Sequence, residues 1–416
     1  MSPTFLQVMR AFMRIGVLSF GGPAGQIATM YRILVEEKRW LDEPRFLHAL
    51  NFCMLLPGPE AQQLATYAGW LLHGTKGGLM AGILFVLPGF VVMLGLASLY
   101  AGLGHVALVQ GLFWGIKPAV LAVVVQAGLR VGGRALKDRT GWLVALASFL
   151  ALFVAGMPFP LIVVGAGAFG WWRGRGQAVP AGAMPVPMAA AVRPARSAAI
   201  AALWLVLWLA PVGLAWVWGQ GALAEIGLFF AKLAAVTFGG AYAALSYVAQ
   251  QAVHHYGWIT AGEMLDGLGL AETTPGPLVL VNQFVGFVAG FRHPGGLNPW
   301  IGGVLAACLT VWVTFVPSFL WIFAGAPHVE RLRGHAALSG ALTAITAAVV
   351  GVIFNLALWF ALHVAFAGFD GSWPVWSTVQ PLALALAGGA MIAMVRFKLG
   401  MAPVLAVCAV LGVLVR

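Results

Sequence analysis

The sequence predicts an all-α polytopic membrane protein made of two inverted-topology repeats, each containing broken half-helix hairpins. Three observations carry that reading. Apolar residues make up 61% of the 416 positions and charged residues 8%, too little polar surface for a water-soluble chain of this length. Phe20-Gly21-Gly22 returns as Phe238-Gly239-Gly240, Trp40 as Trp258 and Pro57-Gly58-Pro59 as Pro275-Gly276-Pro277; the differences 238 − 20, 258 − 40 and 275 − 57 are all 218. One constant offset through these landmarks means that one unit occurs twice. The apolar runs, finally, come in two lengths, and the shorter ones are interrupted at the repeated motifs.

Taken in order, residues 1–18 carry Arg10 and Arg14 inside an apolar run and lack a small-residue cleavage site, so they read as part of the fold and not as a removed signal. Residues 5–19, 24–35, 46–56 and 60–72 are each too short to cross a bilayer and are separated by Gly-Gly-Pro or Pro-Gly-Pro. Proline removes a helical donor and glycine lowers helix stability, so each pair reads as two half-helices broken at depth. Lipid tolerates such breaks only where protein or a polar cavity shelters the freed backbone groups. Residues 79–99, 106–128, 198–218, 301–323 and 338–362 have the length, about 20 residues, of a spanning helix. A short apolar pair closes each copy, at 142–155 with 159–172 and at 381–395 with 401–415. The resulting division is a first repeat at 1–172, a basic linker plus a connecting helix at 173–222, and a second, inverted repeat at 223–416. Cys53, Cys308 and Cys408 stand singly in apolar runs and are expected to be core thiols, with no metal spacing and no disulfide framework.

The net charge of +11 would point to nucleic acid in a soluble chain, but here the basic residues cluster in short loops and report orientation. Lys38, Arg39 and Arg45 lie between 36 and 45, whereas the counterpart 254–263 has no lysine or arginine. The reverse holds at 101–105, uncharged, against 328–335 with Arg331 and Arg333. Arg130, Arg134, Lys137 and Arg139 follow one helix while 365–373 has no basic residue, and the closing turn at 156–158 is neutral where its counterpart carries Arg396 and Lys398. Positive loops are cytoplasmic, so the copies are expected to lie in opposite orientations, and the single helix at 198–218 supplies the odd crossing. Lys76 and Arg292, both after the Pro-Gly-Pro hairpins, do not discriminate.

Inverted repeats with discontinuous helices are the build of secondary transporters, whose sites sit near the midplane where half-helix N-termini face anionic groups. Half-helices beginning after Gly22, Pro59, Gly240 and Pro277 would each offer free N–H groups and a positive dipole end. The glycines of the breaks, Gly21, Gly22, Gly58, Gly239, Gly240 and Gly276, are therefore candidate substrate contacts; the alternative is that they only permit close helix packing. Arg14 and Lys232 are counterparts, each six residues before the Phe of Phe-Gly-Gly, and Lys117 lies inside the 106–128 run. They are either counter-charges in the site or side chains that snorkel to the headgroups. Ser19 and Thr237 before the Gly-Gly motifs, Thr273 and Thr274 before the second Pro-Gly-Pro, and Gln62, Gln63, Asn282 and Gln283 after the breaks can donate hydrogen bonds to an oxyanion or simply bond between helices. Glu60 and Glu272 flank the two Pro-Gly-Pro motifs in apolar surroundings and are candidates for proton coupling or for static ion pairs.

Phe20-Gly21-Gly22-Pro23 with Gln26, the Trp40 loop, Leu56-Pro57-Gly58-Pro59, Phe238-Gly239-Gly240-Ala241-Tyr242 and Pro275-Gly276-Pro277 resemble the paired motifs of the chromate ion transporter family in its long, two-domain form. The resemblance covers nearly the whole chain outside the linker. It implies two homologous halves in the bacterial cytoplasmic membrane and export of chromate, with sulfate as the look-alike anion. The second copy departs from the pattern where Ala241 replaces Pro23 and Leu278 replaces Glu60, which puts equal roles for the halves in doubt.

No phosphate loop, His-Glu-x-x-His or nucleophile elbow is present, so an enzyme is not expected, nor a cofactor. The expected function is a secondary transporter that exports chromate and confers chromate resistance. The alternatives are an importer of sulfate or a related oxyanion, and a membrane protein without transport activity. The expected partners are the anion and the lipid bilayer, with no nucleic acid; a homodimer is compatible with the sequence.

Overall fold

Alternation of short and long helices organises the chain. The computed structural model describes residues 3–20, 22–175, 194–238, 241–325, 336–371 and 373–415. Helix α1 (Phe5–Leu18) starts at a capping box between Thr4 and Gln7, which satisfies two otherwise orphaned amides. After the first break come α2 (Gly22–Tyr31), a π turn over Arg32–Glu37, and α3 (Glu43–Cys53) with Asp42 as its N-cap. Helix α4 (Glu60–Leu103) is two helices in one: His73 and Gly74 leave helical geometry, Gly74 at φ 59°, and divide a half-helix from a spanning one. Then follow α5 (Ala107–Ala135), α6 (Arg139–Phe153), α7 (Phe159–Gly174) and the connecting α8 (Pro194–Val217).

The second copy continues with α9 (Gly221–Val236), α10 (Ala241–Ala249), a π turn over Gln250–His255 and α11 (Ala261–Thr273), capped by Thr260. Helices α12 (Val281–Arg292), α13 (Pro299–Leu320), α14 (Ala336–Ala365), α15 (Pro381–Val395) and α16 (Met401–Val415) complete it. A two-residue hairpin pairs Phe369–Asp370 with Trp373–Pro374 between α14 and α15.

Local geometry recurs at the 218-residue offset down to single hydrogen bonds. The π turns begin at 32 and 250 and the N-caps fall at 42 and 260. The Trp40 amide donates to Leu34 O at 2.9 Å, and that of Trp258 to Ala252 O at 2.8 Å. Positive φ falls on Arg39 (52°) and on its counterpart Gly257 (63°).

Among the described residues, five helices are long and apolar enough to cross a membrane: α4, α5, α8 from Ser197, α13 extended to Gly325, and α14. These overlap the five predicted runs, and the chain is an all-α polytopic membrane protein. The basic pair Arg331 and Arg333 and most of the 173–196 linker lie outside the described residues. Of the cysteines, Cys53 and Cys408 are buried as expected, but Cys308 is exposed because its side of α13 faces outward from the bundle.

The closing pairs cross over. Helices α6 and α7 of the first copy lie on α14 of the second, and α15 and α16 of the second lie on α5 of the first. Glycine permits the contacts: a methyl at Gly115 would collide with the Cys408 carbonyl, one at Gly170 with the Gly340 carbonyl, and one at Gly351 with the Ala145 carbonyl. Bare backbone at the crossing lets helices approach closely, the usual source of association where lipid removes the hydrophobic drive.

Candidate functional site

The two Pro-Gly-Pro breaks are held by the opposite copy. The Gly58 amide donates to Thr237 O at 2.8 Å and the Gly276 amide to Ser19 O at 2.7 Å. Residues 19 and 237 are counterparts, as are 58 and 276, so the contact is reciprocal. Gly58 sits at φ 111° and Gly276 at φ 93°, a region that side chains with a Cβ rarely occupy. Gln26 Nε2 donates to Gly276 O and Gln63 Nε2 to Pro57 O, both at 2.7 Å. The breaks therefore have their freed backbone groups met by protein.

Those bonds occupy part of the expected donor set. The amides of Gly58 and Gly276 are already used across the interface. The hydroxyls of Ser19, Thr237 and Thr274 each donate one turn back along their own helix, to Ile15 O (2.6 Å), Leu233 O (2.7 Å) and Leu270 O (2.6 Å). A hydroxyl has one proton, so in this conformation none of the three donates to a ligand. Gly22, at φ 69°, opens α2 with free space around it. Gly21, Gly239 and Gly240 lie outside the described residues.

On α4, α12 and α13, other polar groups are buried without partners. Both side-chain ends of Asn282, the Oε1 atoms of Gln62, Gln63 and Gln283, and the hydroxyls of Thr310, Thr314 and Ser318 have none. Leaving one buried polar group unpaired costs about 1–3 kcal/mol, so such a concentration calls for an explanation. The gap lined by Gly58, Pro59, Thr237, Asn282 and Thr314 is about 10 Å³, room for no more than a water. Gln62 Nε2 reaches toward Phe315 O at 3.5 Å and Gln283 Nε2 to Phe90 O at 3.0 Å, each onto the long helix of the other copy.

The expected cations divide. Arg14 is exposed and bonded to Glu37 at 2.7 Å, and Lys232 is exposed on α9. Both are exposed, as the snorkelling alternative expects. Lys117 does point inward: its ammonium lies 3.5 Å from Asp266, an acidic partner 149 residues away in sequence. Of the expected carboxylates, Glu272 is buried and accepts from the Tyr242 hydroxyl at 2.6 Å, while Glu60 is half-buried as the first residue of α4.

Two carboxylates were expected at depth, but Asp266 is a third, 4% exposed. It accepts from the Tyr100 hydroxyl at 2.9 Å and forms part of the wall of a cavity of about 570 Å³ with Lys117, Glu263, Gln110, His363 and Gln380. Glu263 is bound bidentately by Arg292, Nη1 at 2.9 Å. The sequence signal for this vestibule was a lone Asp in an apolar half-helix opposite a lone Lys in an apolar spanning run.

A helical membrane bundle whose broken segments meet near unpaired amides and hydroxyls, and which also holds a charged vestibule, has the construction of a transporter. The chain belongs to the chromate transporter family, whose profile matches residues 6–171 and 224–413. It is thus a member of a transporter family and not an enzyme. It is 34% identical over 364 residues to a chromate transport protein of Pseudomonas aeruginosa, covering 84% of this chain and 79% of that one. Identity is 28% over 352 residues to a chromate transport protein of Cupriavidus metallidurans, at 84% and 81% coverage. An uncharacterized transporter of Bacillus subtilis is 31% identical over 144 residues, which are 35% of this chain and 73% of that relative. No solved structure matches the chain.

Proposed function

We propose that this protein carries chromate outward across the cytoplasmic membrane of a bacterium and so confers chromate resistance, with the anion passing between two inverted repeats at the membrane midplane. The observation that carries the reading is the reciprocal bonding of the breaks, Gly58 to Thr237 and Gly276 to Ser19. Such an exchange of equivalent contacts is what a two-fold relation between the copies produces. The basic residues alternate between counterpart loops of the two copies, which supports an axis in the membrane plane. The unpaired amides and hydroxyls of Gln62, Asn282, Thr310, Thr314 and Ser318 then lie where the two halves meet, as groups a tetrahedral oxyanion would satisfy once the closed gap widens. The relatives named as chromate transport proteins supply the anion.

Export of a dianion from a negative interior is favourable by about 2.3 kcal/mol per charge per 100 mV, so the potential alone can drive it. Purified protein in liposomes tests the reading. Chromate flux is expected toward the positive side under an imposed potential. Glu60→Gln and Glu272→Gln under an imposed pH gradient separate proton coupling from a static role for each carboxyl. Sulfate flux with no chromate flux would replace the reading with the sulfate one.

A further inference from the structure

The vestibule wall carries Lys117, Asp266 and Glu263, with Arg292 paired to Glu263, and the two ion pairs are not equivalent. Arg292 clamps Glu263 through both guanidinium nitrogens and also donates to Trp258 O at 3.0 Å; that pair is fixed on both sides. Lys117 and Asp266 are held loosely. Their 3.5 Å separation is longer than a charge-assisted hydrogen bond of about 2.7–2.9 Å, and Asp266 Oδ1 is buried with no partner at all. Its Oδ2 takes the Tyr100 hydroxyl. The Lys117 ammonium also lies against Gly262, where a Cβ would stand 3.1 Å from Nζ, so it sits over the first turn of α11. The 13-residue α11 directs its positive end to the same spot.

Charge counting gives the consequence. With both carboxylates ionised the vestibule is neutral, and an arriving anion meets Asp266 as a competitor for Lys117. With a proton on Asp266 the vestibule carries one net positive charge, and Lys117 has no counter-ion. We propose that Asp266 is the residue through which this vestibule couples a proton to the anion: protonation of Asp266 releases Lys117, and an inorganic oxyanion takes the carboxylate's place. The inference rests on the transport reading for its biological sense, but the binding it describes stands apart from it. The groups facing Asp266 are Lys117 on α5, Tyr100 on α4, Glu263 on its own helix, Arg292 on α12 through Glu263, and His363 on α14 across the cavity wall. His363 engages the Trp359 carbonyl at 2.8 Å through Nδ1 and stacks on Phe369. Asp266 has no acidic counterpart in the first copy, where position 48 is His48, so the coupling is asymmetric between the halves.

The test is equilibrium binding of labelled sulfate to the purified protein. Sulfate stays a dianion between about pH 5.5 and 8.5 whereas chromate takes up a proton in that range, so the slope belongs to the protein. One proton per anion predicts binding that tightens as pH falls, by up to about tenfold per pH unit. Asp266→Asn is expected to bind tightly at every pH with no slope, and Lys117→Gln weakly at every pH, with Lys117→Arg restoring part of the affinity. Tyr100→Phe removes one donor from the carboxylate without removing charge, and tight binding should then persist to higher pH; this variant reads the proposal even where Asp266→Asn fails to fold. A wild-type slope in Asp266→Asn, wild-type affinity in Lys117→Gln, or a slope lost in His363→Gln instead would overturn the proposal. Chromate flux measured on the same preparation tells the two readings apart: a slope that depends on Asp266 in a protein that moves no chromate sinks the transport reading alone.

Discussion

Replacing Gly58 or Gly276 with alanine probes the paired breaks directly. A residue with a Cβ forced into such sparsely populated backbone costs about 1–3 kcal/mol, and φ is 111° and 93° at these positions. Surroundings then separate the two. At Gly58 the new methyl would stand 3.1 Å from Gln63 Nε2, the end of a side chain that must leave Pro57 O, adding about 0.5–1.5 kcal/mol for the lost bond. At Gly276 it would meet Leu280 Cδ1 at 3.3 Å and Gly89 Cα at 3.4 Å, and the second is backbone of α4, which cannot swing aside. Gly276→Ala should therefore be the worse of the two. The control is Gly133→Ala, inside α5 with nothing within 4 Å of the added carbon, which should be neutral or stabilise by up to about 1 kcal/mol. Equilibrium unfolding in mixed micelles measures all three, with chromate flux recorded alongside. If both break variants fall within about 0.5 kcal/mol of the wild type and keep full flux, the breaks do not need glycine and the argument from their geometry fails.

Arg14→Gln and Lys232→Gln should each leave anion binding within about twofold of the wild type and cost at most about 1 kcal/mol of stability, because Arg14 stands half-exposed on Glu37 and Lys232 faces outward. Loss of sulfate binding in either would return that cation to the site. A tag inserted between residues 36 and 45 should be accessible only from the cytoplasm and one between 254 and 263 only from outside; accessibility of both from one face would refute the inverted arrangement.

The elements were legible because composition and chain breaks are local signals. Five spanning runs, both sets of half-helices and the closing pairs follow from apolar length and from where Gly and Pro interrupt it. The site was legible only in part. Sequence marks Gln62, Gln63, Asn282 and Gln283 as polar groups in apolar runs, and all four are buried. It does not show which way a side chain points around its helix, so for Arg14 and Lys232, matched at the 218-residue offset, as for Lys117, the sequence leaves both a site role and snorkelling open. Nor does it show that a hydroxyl will bond its own helix one turn back, as Ser19, Thr237 and Thr274 do. Asp266 flanks no motif; its meaning comes from Lys117 and Tyr100, brought to it from elements more than 140 residues away.

The crossing of the closing pairs bears on how such a chain can be divided. Each half lends its last two helices to the other half's longest segment, and Gly115, Gly170 and Gly351 have given up their side chains to that exchange. A polypeptide with only one unit would leave a bare glycine groove open to lipid and two helices with nothing of their own to cover. It could build the same body only by finding a second unit to exchange those helices with. Covalent linkage removes that search: joining the units fixes a one-to-one ratio as the chain is made.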